Sequence, residues 1–195
     1  ATPKTAVQSR SDQLRAASIT RVAIMAGVTS VLAWVAIPLP FSPVPLTAQT
    51  AGVMLSGLLL SPKEAAISQL VYLLCGALGL PVFSGGRAGL GMLMGPTGGY
   101  LIGFVPGAFA CSAVISALRG SSDDPVASSI LKAVLAVVVG GIAVVDAVGV
   151  VRLARVAQIS LGRAIAIGVF PYLPGDAIKA AIAAIAWVKL RHLRR

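Results

Sequence analysis

Charge is scarce in this sequence. Of 195 residues, 11% are Asp, Glu, Lys or Arg, while 57% are apolar and the mean hydropathy is +0.92. Soluble domains hold roughly 45–50% apolar residues, so this chain lacks the polar surface to cover itself in water. Histidine occurs once, as His192 in the basic C-terminal tail. No cluster of His, Asp or Glu has metal-ligand spacing, and no serine has a histidine base near it. The two cysteines, Cys75 and Cys111, lie in separate apolar runs without a CxxC pattern, and read as small core residues. A GxxxxGK[ST] phosphate loop is missing, which excludes ATP hydrolysis by that route. The formal charge of +10 sits at the two ends and in short loops. That is how topogenic charge is distributed, and it offers no basic groove for nucleic acid.

What the chain has in quantity is hydrocarbon, punctuated by 21 glycines and 12 prolines. These breaks leave six apolar segments, at about 17–38, 46–61, 63–81, 96–119, 126–151 and 162–190. A bilayer core of about 30 Å takes about 20 residues per helical crossing, so six crossings use most of the length. The expectation is an all-α integral membrane protein of six transmembrane helices, embedded in membrane lipid. Residues 1–16 form a polar basic tail, 17–190 the membrane domain, and 191–195 a basic cytoplasmic tail. A basic start before an apolar run also has the outline of a signal peptide. The run from Ile19 to Ile37 is too long for a signal core, however, holds Trp34, and ends in PLPFSPVP rather than a cleavage site of small residues. It reads as the first span. With six spans both termini share a side; eleven Lys and Arg residues fall there, against Arg87, Arg152, Arg155 and Arg163 opposite. The termini are therefore expected in the cytoplasm.

On the outer side, PLPFSPVPL (38–46) is stiffened by proline and cannot continue a helix. The stretch GLPVFSGGRAGLGMLMGPTGGY (79–100), between helices 3 and 4, is too glycine-rich for a regular span. Irregular backbone at membrane depth survives only against protein or a water-filled cavity, so this outer loop is expected to cover one. The inner loop 118–128 reads as an ordinary turn before a helix.

Into the last segment the chain places an acid and a base, Asp176 and Lys179, in PYLPGDAIKAA. An ionisable residue within a span costs roughly 2.5–3.5 kcal/mol on insertion scales. Positions i and i+3 share a helix face, and LPG before the acid puts the pair near a helix start, after a break. The pair is either a structural lock between helices or a ligand site. As a site, a carboxylate that accepts and an ammonium that donates complement a neutral group with N–H donors and a carbonyl, such as a urea or amide, or a zwitterion. The same pair could act as acid and base in an intramembrane enzyme. Around it stand further candidates. Arg87, beside Gly85 and Gly86, is either a solvated loop arginine or a grip for a carboxylate aided by backbone N–H groups. GPTGGY (95–100), with Gly98, Gly99 and the Tyr100 hydroxyl, is either a packing turn or a set of donors opening the fourth helix. Gln49 is an uncharged polar group placed to face the same cavity. Asp146 reads more readily as structural, paired with Arg152 or Arg155. On the first helix Ala23 and Gly27, with Ala26 beside them, are small enough for close helix contact, within the chain or with another membrane subunit.

The stretches PVPLTAQTAGVMLSGLLLSPKEAA, LGLPVFSGGRAGLGMLMGPTGGYLIGF and YLPGDAIKAAIAA resemble the biotin-specific S components of energy-coupling-factor transporters, the BioY family, from about residue 17 onward. The resemblance implies a six-helix subunit that binds biotin as transported ligand, without a cofactor, from a pocket open to the outside. It would work in a prokaryotic plasma membrane with a transmembrane coupling subunit and two ATP-binding-cassette ATPases. The PGDxxK motif carries onto Asp176, accepting from the ureido N–H groups, and Lys179, donating to the ureido carbonyl. The glycine-rich loop would close over the ligand, with Arg87 or backbone N–H groups meeting the valerate carboxylate. Small residues on the first helix would contact the coupling subunit; here the pattern runs Ala23, Ala26, Gly27.

Overall fold

The structure, a computed structural model, describes residues 3–118 and 125–190, with side chains from residue 12 onward. Arg119 and the basic tail 191–195, both part of the charge asymmetry, lie outside the described residues, as do the side chains of Lys4 and Arg10. The chain is mostly helical. Helix α1 (Pro3–Leu32) leads into a hairpin of β1 (Ala36–Leu39) and β2 (Ser42–Thr47), then α2 (Gln49–Leu59) and α3 (Pro62–Ala77). After the glycine-rich segment, which holds the short α4 (Leu90–Met94), comes α5 (Gly98–Ala117). Helix α6 (Val126–Ala136) passes through a π-helical stretch (Val137–Val144) into α7 (Val145–Ala157), followed by α8 (Leu161–Gly168) and α9 (Leu173–Leu190).

The six apolar segments all appear as helix, but not all as full crossings. Helices α2 and α3 have 11 and 16 residues, about 17 and 24 Å at 1.5 Å per residue, short of a 30 Å core. Among the described residues three stretches are long and apolar enough to cross, Asp12–Leu32, Gly98–Ala117 and Val126–Ala157, and the pair α8–α9, bent by 56°, makes a fourth. Large apolar side chains such as Ile19, Val31 and Leu78 stand 69%, 71% and 86% exposed, which water would penalise and lipid does not.

The hairpin departs from the all-helical expectation. Its strands pair antiparallel, Ala36 with Thr47 and Ile37 with Leu46, with an irregularity before Leu39 pairs with Ser42. Prolines 38, 40, 43 and 45 are tolerated because a two-stranded ribbon leaves half its N–H groups unpaired. The start of α3 follows from SPKE: Pro62 suits the first turn, and Glu64 Oε2 accepts from the Ser61 N–H at 3.2 Å and hydroxyl at 2.7 Å. Glu64 Oε1 also accepts from Ser18 (2.6 Å) and Arg21 (2.7 Å), tying α1 to α3.

Helix α5 runs through the middle, touching α2, α3, α6, α7 and the π-helical stretch. Small residues set the spacing: a Cβ on Gly140 would stand 2.2 Å from the Cys111 nitrogen. Cys111 is buried there, Cys75 is half-buried, and both are small packing residues without a disulfide. Tyr72 meets Phe83 edge-on with centroids 5.6 Å apart and stacks on Phe104 at 6.2 Å, geometries that aromatic pairs favour.

Candidate functional site

A cavity opens where the hairpin, α2, α5, α7 and α9 converge. The break between α8 and α9 makes it possible. The chain turns at Phe170–Tyr172 and restarts helically, so Asp176 falls in the first turn of α9, where the positive end of the helix dipole favours an acid. Lys179, one turn on, shares that face. Its Nζ lies 2.8 Å from Asp176 Oδ1 and donates to Thr50 Oγ1 at 2.9 Å, and the Thr50 hydroxyl is 3.3 Å from Asp176 Oδ1. The side chains are 8% (Asp176) and 15% (Lys179) exposed. Thr50, in the first turn of α2, was not among the sequence candidates; its neighbour Gln49 was, and an adjacent hydroxyl at a helix start was the available signal.

Gln49 lines the cavity as expected, but it is engaged. Its Oε1 accepts from the Thr47 hydroxyl at 3.1 Å, and its Nε2 donates to the Tyr72 hydroxyl. Tyr100 also lines the wall, and its hydroxyl donates to the Gly168 carbonyl at 2.8 Å. The ring fits a slot left by two glycines: a Cβ on Gly149 would stand 2.2 Å from Tyr100 Cδ1, and one on Gly168 2.4 Å from its hydroxyl. Tyr172, at the elbow, reaches Ser42 Oγ at 2.9 Å and the Val44 carbonyl, fixing the hairpin over the opening. Val44, Pro45 and Thr47 are the hairpin's share of the wall.

The structure does not bring Gly98, Gly99, Gly85, Gly86 or Arg87 to the wall. Gly98 and Gly99 are spacers, since a Cβ at either would strike Leu93 or Arg152. Gly85 and Gly86 turn the loop with φ of 67° and 78°, conformations that favour glycine, and Gly86 lies on the Trp34 ring. Arg87 is exposed on the loop. The glycine-rich segment gives the cavity Ser84, Met92 and Thr97 instead. Asp146 corrects the expected pairing with Arg152 or Arg155. It lines the cavity, its Oδ2 is buried without a hydrogen-bond partner among the described residues, and Arg152 Nη2 donates to the Met94 carbonyl at 3.1 Å. On α1, Ala26 is buried in the core, whereas Ala23 and Gly27 face outward. The Lys–Asp cluster can hold a neutral donor–acceptor group; among the described residues no set of His, Cys, Asp or Glu could hold a metal ion.

Several known proteins are similar to this chain. A family model described as the BioY family matches residues 5–195. The chain is 41% identical to the Biotin transporter BioY of Rhizobium etli over 76% of its own length and 79% of that protein's. It is 38% identical to the Biotin transporter BioY of Rhodobacter capsulatus, over 85% and 88% of the two chains. The crystal structure at 2.1 Å of the S-component for biotin from an ECF-type ABC transporter superposes with a TM-score of 0.81, at 29% identity, covering 98% of this chain and 95% of that one. A match over nearly the whole length, in sequence and in backbone, places the chain in the BioY family.

Proposed function

We infer that this chain is the biotin-capturing membrane subunit of an energy-coupling-factor transporter. The observation that carries the reading is the Asp176–Lys179–Thr50 cluster, set in a cavity of an otherwise apolar helical body. An uncharged cyclic urea supplies what that cluster lacks: a carbonyl oxygen for the ammonium and an N–H for the carboxylate. Asp176 accepts from a ureido N–H, Lys179 donates to the ureido oxygen, and Thr50 holds the two charges in register. The apolar wall, with Met92, Leu101 and Phe104, takes the fused thioether ring. The valerate carboxylate is left to the neutral donors of the glycine-rich segment, Ser84 and Thr97, because Arg87 stands outside the wall.

The chain binds and delivers rather than catalyses, and family membership leaves the acid–base enzyme reading without support. Uptake is driven by ATP hydrolysis in partner subunits, a transmembrane coupling subunit and two ATP-binding-cassette ATPases. The outward face of α1 at Ala23 and Gly27, small enough for close helix approach, is the contact proposed for the coupling subunit. The protein lies in a prokaryotic plasma membrane with six helical segments and both termini cytoplasmic, as the arginine and lysine asymmetry directs.

Equilibrium binding of labelled biotin to the purified chain in detergent, with no ATPase present, tests this reading. Saturable binding near one ligand per chain, lost in Asp176→Asn, is the expected result. A folded chain that binds no biotin overturns it.

A further inference from the structure

Asp146 is the second acid in the cavity, and the pairing described so far leaves it idle. It comes from α7, an element separate from those that carry Asp176 and Thr50. Its Oδ2 is buried and has no hydrogen-bond partner among the described residues. A buried polar atom left in that condition is costly, and buried polar groups in native proteins are nearly always satisfied. Other polar side chains of the wall are already engaged: Gln49 with Thr47 and Tyr72, Tyr100 with Gly168, Tyr172 with the hairpin. Asp176 Oδ1 is shared between Lys179 and Thr50.

The geometry of a cyclic urea says what the idle oxygen is for. The five-membered ring fixes its two N–H bonds on opposite sides of the carbonyl, pointing apart. A carboxylate that meets one N–H along one edge of the ring cannot also reach the other, so the second donor needs its own acceptor from a different part of the wall.

We propose that Asp146 accepts the second ureido N–H of biotin, so that the ring is held between two carboxylates with Lys179 at its carbonyl. The proposal rests on the biotin reading given above and adds a specificity rule to it: the cavity demands both ring N–H groups.

The test is a titration of the purified full-length chain in detergent with biotin and with the two mono-N-methyl biotins, for the wild type, Asp146→Asn and Asp146→Leu. Size-exclusion profile and thermal midpoint are recorded for each variant. Asp146→Leu should weaken biotin binding about tenfold to a hundredfold, the worth of a hydrogen bond to a charged acceptor. For one methyl isomer the loss already suffered in the wild type should not deepen further in Asp146→Leu, because the same contact is removed twice. Asp146→Asn keeps an oxygen that can accept, and should retain more affinity than Asp146→Leu. The proposal is overturned if a folded Asp146→Leu binds biotin within about threefold of the wild type, or if the losses from methylation and mutation add for both isomers. Should the variants fail to fold, the wild type alone decides: tolerance of either methyl isomer at near-biotin affinity refutes a two-acceptor site. If the wild type binds no biotin at all, the biotin reading itself has failed, which is a different result from biotin binding that ignores Asp146.

Discussion

Replacing Lys179 with methionine removes the ammonium and keeps most of the side-chain volume. In the present geometry Asp176 would then retain one partner, the Thr50 hydroxyl at 3.3 Å, where it now also has the ammonium at 2.8 Å. Because the carboxylate is only 8% exposed, water does not make up the loss, and breaking a buried pair from one side costs about 3–5 kcal/mol. Lys179 is itself partly open to the cavity at 15%, so the lower end, about 3 kcal/mol, is the expectation. For a chain of this size that is a fall of roughly 6–12 °C in thermal midpoint. The double variant Asp176→Asn/Lys179→Met leaves no unpaired charge, and should recover to within about 1 kcal/mol of the wild type. Neither variant should bind biotin. Thermal unfolding in detergent, followed by tryptophan fluorescence, and labelled-biotin binding on the same samples give both readouts. A double variant as unstable as Lys179→Met would refute the view that the two charges answer each other. Wild-type affinity in either variant would refute the view that they answer the ligand.

Thr50→Val keeps the shape and removes the hydroxyl that Lys179 donates to at 2.9 Å; titration should show biotin affinity down about tenfold, with a stability loss of about 1 kcal/mol. Gly149→Ala puts a methyl group 2.2 Å from Tyr100 Cδ1. The ring must shift and surrender its 2.8 Å bond to Gly168, so thermal unfolding should register about 1–3 kcal/mol of destabilisation, together with weaker biotin binding. Gly27→Ile adds bulk where no atom lies within 4 Å of the new Cβ. Stability should stay within about 0.5 kcal/mol and biotin titrate as before, while co-purification with the coupling subunit is lost; retained co-purification would move that contact elsewhere.

The acid–base pair was legible because its cost is legible: charge within hydrocarbon, three residues apart, just past Leu-Pro-Gly. Most helix boundaries were legible to within a few residues from glycine, proline and charge, and the break in the last segment from the same signs, but α1 runs from Pro3 to Leu32 where 17–38 was expected. The hairpin was not, since its prolines mask strand alternation and the residue that anchors Ser42 and Val44, Tyr172, is far along the chain. Asp146 was misjudged in being paired with Arg152 or Arg155, which follow it in α7 at distances of about 9 and 13 Å along the helix axis. The π-helical stretch before it takes an extra residue per turn, so the face on which α7 presents Asp146 does not follow from an α period counted through the whole segment. Glycines 98 and 99 show the ambiguity in reverse, because a residue without a side chain serves backbone exposure and close packing equally well, and the neighbour that decides between them is distant in sequence.

The bonds that complete the cavity span about two thirds of the 195-residue polypeptide: Thr50 meets Lys179 across 129 residues, and Tyr172 meets Val44 across 128. During synthesis most of the wall, Asp146 included, is therefore made early, and Asp176, Lys179 and the tether for the hairpin arrive with the final helix. Until α9 inserts, a nascent chain has neither Asp176 nor Lys179 with which to recognise a ligand, so biotin cannot guide the first five helical segments to their places. Their assembly must rest on helix packing alone. Contacts of such long separation close slowly because the loop entropy comes first, which makes the last segment the step at which a misassembled molecule and a binding-competent one part ways.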